Sequence, residues 1–133
     1  MAAPNITLTH LRQQFATGTR KYEMREYDSA SAEFYAIIHH LDRHEGLLRV
    51  EDGFHLYCKS VVMRLACYGH NGRLRRWVLS GEMQALHRNL KRVVDASSTR
   101  GGRYYLELAD QALSGLHKDT KWTVVLRRAT ALQ

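Results

Sequence analysis

Apolar residues recur at steps of three and four along most of this chain, the period of a helix that buries one face. Leu8, Leu11, Phe15, Gly18 and Tyr22 form the first stripe and predict a helix from about Thr9 to Met24, with Thr7 or Thr9 as its cap and residues 1–7 as a flexible tail. A turn at Glu26-Tyr27-Asp28 follows. Asp28 then caps a helix from Ser29 to His44 whose stripe is Ala30, Phe34, Ile37 with Ile38, and Leu41. So short a turn predicts an antiparallel hairpin. Residues 45–52 read as a loop or frayed helix end. Asp52 is then the candidate cap of a third helix running to Tyr68 on Phe54, Tyr57, Val61, Leu65 and Tyr68, stopped by Gly69-His70-Asn71-Gly72.

A fourth helix starts near Arg73 with Leu74, Trp77 and Val78 on one side, and Ser80-Gly81 is placed to kink or divide it. The pattern resumes at Met83, Leu86, Leu90 and Val93 with Val94. Residues 96–102 are the clearest break in the chain. Tyr105, Leu108, Ala112 and Leu116 predict a helix from Arg103 to His117. Asp119 would cap a last one carrying Trp122, Val125 with Leu126, Ala129 and Leu132, although its β-branched start also suits an edge strand. The sum is a single all-α domain over residues 1–133, a stack of about five or six helices in antiparallel hairpins.

Composition agrees. The chain has 133 residues, 44% hydrophobic and 25% charged, enough to bury a core. Its one proline, Pro4, precedes the first predicted helix, and an internal proline would cost a helix about 3 kcal/mol. No run approaches the roughly 20 apolar residues of a membrane span, and no charged-then-apolar leader opens the chain. Two cysteines, Cys58 and Cys67, are too few for a disulfide framework, so reduced thiols and a cytoplasmic location are expected.

Residues 16–38 hold Gly18, Tyr22, the Glu26-Tyr27-Asp28 corner, Ala30 and Phe34, with twelve residues from Gly18 to Ala30 and four from Ala30 to Phe34. This segment resembles one tetratricopeptide helical hairpin, and the corner is also similar to that of microtubule-interacting-and-trafficking three-helix domains. In the first family a small residue, here Gly18, admits the second helix closely. The pattern departs at Gln14, Thr17 and Asp42, and later copies are degenerate. The resemblance implies a stack of hairpins that binds peptides or partner helices.

Charge adds a second possibility. Of 20 basic residues, 15 are arginine; residues 1–60 carry a net charge of −1 and residues 61–133 of +8. Arg73, Arg75, Arg76, Arg88, Lys91, Arg92, Arg100 and Arg103 are the candidate contacts to nucleic acid, RNA before DNA, or to an acidic partner. Tyr104 and Tyr105 beside them suit base stacking. Pairing with Glu82, Asp95, Glu107 and Asp110 would leave a positive surplus. Trp77 and Trp122 read as core anchors. His40 and His44 share a helical face at zinc-ligand spacing, but the cluster with His39 reads better as a solvated helix end.

No nucleophile, phosphate-loop or dinucleotide motif is present, so neither catalysis nor a cofactor is expected. The expected function is a non-catalytic interaction module or adaptor. Its protein-binding groove would be lined by Arg20, Lys21, Tyr22, Tyr27 and Tyr35, and the open ends of such a stack suit homodimer formation. The alternative is an RNA binder using the basic second half.

Overall fold

The computed structural model describes residues 4–70, 73–97, 101–114 and 121–131. Its elements are α1 (Pro4–Glu23), α2 (Tyr27–Asp42), α3 (Glu45–Leu48), α4 (Glu51–Gly69), α5 (Arg73–Ala96), α6 (Gly102–Ser114) and α7 (Trp122–Ala131). No strand occurs among the described residues, and the fold is all-α. Trp122–Leu126 is helical.

The boundaries depart from expectation where local chemistry competes with periodicity. The first helix begins at Pro4 rather than near Thr9; a proline in the first turn forfeits no hydrogen bond there. It ends at a left-handed residue, Arg25 with φ 63°. The Glu26 amide donates to Lys21 O at 2.9 Å and the Arg25 amide to Tyr22 O at 3.0 Å, the two bonds of a Schellman cap. That cap turns the chain one residue earlier than the Glu26-Asp28 corner suggested, so Tyr27 and Asp28 lie inside the first turn of α2 and Asp28 is not its N-cap. Likewise Asp52 lies within α4, behind Val50 as N-cap, and pairs with Arg12 at 2.6 Å instead of capping. Residues 45–48, expected as loop, form α3. Ser80-Gly81 does not divide α5. Thr7 and Thr9 lie inside α1 and neither is its N-cap, while the proposed cap Asp119 and the stripe positions Leu116 and Leu132 lie outside the described residues.

The α1–α2 hairpin is built as its stripes require. Ala30, Phe34, Ile37, Ile38 and Leu41 are all buried. A Cβ on Gly18 would stand 2.9 Å from Phe34 Cε1, so glycine is what lets the Phe34 ring lie against α1. Phe15 meets the same ring edge-on at 5.4 Å.

The centre of the molecule is α4, which packs against each of the other six helices. Apart from Glu51 and Asp52 at its start and the half-buried Lys59 and Arg64, every residue of α4 is buried. Several of its polar groups are therefore answered internally. Ser60 Oγ donates to Leu56 O at 2.7 Å, and His55 Nδ1 shares a 2.6 Å hydrogen bond with Tyr105 OH of α6. Arg64 donates to Ser31 O at 2.8 Å while its guanidinium lies 4.6 Å from the Tyr35 ring and 5.1 Å from that of Tyr68. From α7, Trp122 and Leu126 complete the core.

Candidate functional site

The aromatic residues expected to line one groove are divided by the fold. Tyr22 is buried, and its hydroxyl meets His70 Nε2 at 3.0 Å. The Tyr27 ring stacks on the His70 imidazole at 4.0 Å, and Tyr22 meets Tyr27 edge-on at 5.3 Å. These three rings pack together between the α1–α2 turn and the end of α4. Tyr35 lies half-exposed on α2, stacked on His39 at 5.8 Å and capped by Arg64. Lys21 pairs with Glu33 at 3.1 Å, and Arg20 is exposed.

Of the basic candidates, Arg88, Lys91, Arg92 and Arg103 are exposed, and none forms an ion pair among the described residues. Arg88 and Arg92 share one face of α5, a helical turn apart. Arg73, Arg75 and Arg76 belong to α5, but their side chains, and all of Arg100, lie outside the described residues, as does the side chain of Trp77.

Along the outer face of α2, Tyr35, Ala36, His39, His40, Arg43 and His44 line a shallow cleft of about 460 Å³. His40 and His44 stack in parallel at 4.2 Å, and the His44 Nδ1–H donates to His40 O at 2.8 Å. Burial lowers the His40 pKa, with His44 and His39 adding to the effect. Among the described residues no three His, Cys, Asp or Glu side chains are grouped to hold a metal ion.

A second cleft, about 530 Å³, opens where the end of α2, α3 and the last turns of α5 meet. Its apolar floor is Leu48, Val93 and Ala96. Arg49 and Arg92 face it as cations, Asp42 and Glu45 as anions, and Ser97 closes one side. Tyr57, fully buried on α4, faces the Asp42 carboxylate of this cleft. Burial raises the Asp42 carboxyl above the usual aspartate range, while the Tyr57 hydroxyl and the Arg92 guanidinium hold it down. Burial likewise raises the Tyr57 phenol, with Asp42 reinforcing and Arg92 opposing. The Tyr57 hydroxyl therefore stays protonated and acts on Asp42.

Of these residues only Arg92 was singled out by its charge in the sequence. Asp42 and Arg92 are fifty positions apart, and no local pattern announces that α3 carries Leu48 and Arg49 to the same wall. Both cysteines are buried, and burial raises both thiols, Cys67 to about 12 and Cys58 further, which suppresses the thiolate. No helix among the described residues is long and apolar enough to cross a membrane. Compared with known proteins, the chain matches no family model, no curated protein and no solved structure.

Proposed function

We propose that this protein is a non-catalytic helical interaction module that binds a segment of a partner protein. The observation that carries the reading is the 530 Å³ cleft between α2, α3 and α5, where an apolar floor is ringed by two cations and two anions. That composition is the apolar centre and polar rim of a protein-recognition site. The likeness of residues 16–38 to a tetratricopeptide hairpin supports the same class of function. The binding surface is moved, however, from the Tyr22–Tyr27–Tyr35 face to the opposite end of α2, because Tyr22 and Tyr27 are consumed in packing with His70.

Ala96 is exposed at the last turn of α5, so a Trp there fills the cleft without disturbing the core. Affinity capture from cell extract on the immobilised full chain, with A96W alongside, tests the reading. Protein species retained by the wild type, resistant to nuclease and lost with A96W are the expected result. Identical capture by both chains would overturn it.

One observation favours a second reading. Arg88, Lys91 and Arg92 are exposed together on α5 with Arg103 exposed at the start of α6, a basic surface suited to RNA backbone. Fluorescence anisotropy with labelled RNA and DNA across a salt series separates the two. Micromolar RNA binding whose logarithm falls steeply with log salt supports RNA; no binding at low salt removes it.

A further inference from the structure

The cleft does not end at its rim. Arg92 belongs both to its wall and to the exposed face of α5 that carries Arg88 one turn earlier, with Lys91 beside them. The apolar floor and a basic stripe are thus one continuous surface. Within the cleft, Arg49 approaches from just past the end of α3 and Arg92 from α5, two guanidinium forks facing one space. Asp95 is the one exposed acid of α5's last two turns and Asp42 lies beside Arg92, so the positive surplus of the stripe rests on Arg88 and Lys91.

From this juxtaposition, and resting on the protein-binding reading above, we infer that the surface takes an acidic amphipathic helix from a partner protein. One apolar side chain of that helix seats on Leu48, Val93 and Ala96. Acids one turn apart on its flank meet Arg92 and Arg88. The spacing follows from geometry: two helices lying side by side share a rise of about 5.4 Å per turn, so carboxylates three or four residues apart repeat in step with Arg88 and Arg92. The carboxylates of Asp42 and Glu45 beside the floor argue for protein over nucleic acid, since they repel a phosphate chain entering the cleft but accept a lysine or a backbone amide from a peptide.

Selection from a random display library of peptides about four turns long, against the intact chain, tests this without presupposing a sequence. The expected result is enrichment of peptides with an apolar anchor and acids three or four residues apart. A resynthesised winner gains helical circular dichroism on binding. It loses affinity by about tenfold or more on R92E, and to a similar degree on A96W. Both variants change exposed side chains, and their melting curves check that the fold is intact. Enrichment of neutral or basic peptides that A96W still abolishes would overturn the acidic-helix inference and leave the protein-binding reading standing. No enrichment, or enrichment indifferent to A96W, would overturn both.

Discussion

Gly53 is the position at which a single methyl group tests how the cleft is built. It lies in the first turns of α4, where the Leu47 carbonyl of α3 crosses closest. A Cβ on Gly53 would stand 1.9 Å from Leu47 O and 2.8 Å from Leu47 C. Ordinary Cβ contacts begin near 3.4 Å, so the two backbones would have to part by about 1.5 Å. No side-chain rotation relieves this, because the obstacle is a peptide group. Overpacking a close contact typically costs about 1–3 kcal/mol, and a rigid backbone obstacle belongs at the upper end. Against that, alanine gains about 1 kcal/mol over glycine inside a helix. G53A should therefore lose about 2 kcal/mol net, a fall in Tm of roughly 6–10 °C for a domain of this size. Because α3 carries Glu45 and Leu48 and leads directly into Arg49, its displacement also widens the cleft, and peptide binding should weaken with stability. Urea unfolding followed by far-ultraviolet circular dichroism measures the first effect. G81A is the control: Gly81 is exposed in α5 with nothing within 4 Å of the added Cβ, so it should gain about 0.5–1 kcal/mol. If G53A proves as stable as the wild type, α3 does not dock through Gly53 and the description of the cleft wall is wrong.

The same reasoning makes G18A destabilising by about 1 kcal/mol, since its Cβ would press on the fully buried Phe34 ring; a rise in the urea midpoint would refute it. R25G should instead stabilise by about 0.5–1 kcal/mol, by relieving the left-handed strain at φ 63°, and an unchanged midpoint would show that the Schellman cap carries no strain. Burial lowers the pKa of His55, with Lys59 adding to it while Glu51 and Asp52 oppose, and His40 is lowered too. Below about pH 6.5 the unfolded chain binds protons at these histidines that the folded chain refuses, so stability falls by up to about 1.4 kcal/mol per pH unit for each. H55Q should flatten the decline in urea midpoint between pH 7.5 and 5.5, and an unaltered slope would exclude His55 as a cause. Both thiols should resist a disulfide reagent at pH 8 until the chain unfolds; rapid reaction of either in native buffer would contradict its burial.

The positions of most helices were legible in the residues, because a stripe such as Ala30–Phe34–Ile37–Leu41 has one physical use. The role of Gly18 was legible too, since a glycine facing an aromatic across a hairpin permits close approach. Elements set by a few residues were not. Glu45–Leu48 is too short to show a period and forms because it can rest on Gly53. Arg25 carries none of the glycine signal of a left-handed cap, so the α1–α2 turn was read late. The basic face of α5 was visible as Arg88, Lys91 and Arg92, whereas the stacking of Tyr27 on His70, 43 positions further on, was not.

What the chain determines by itself is its helical class, the core-facing stripe of each helix and the excess of arginine in its second half, since each depends on spacing or composition alone. That α4 is enclosed on every side, with His55 and Arg64 answered by Tyr105 and Ser31, was decided by tertiary packing. So was the cleft, because Asp42, Leu48 and Arg92 acquire a common ligand space only when α2, α3 and α5 converge, and proximity across such separations is a property of the fold and of no local pattern.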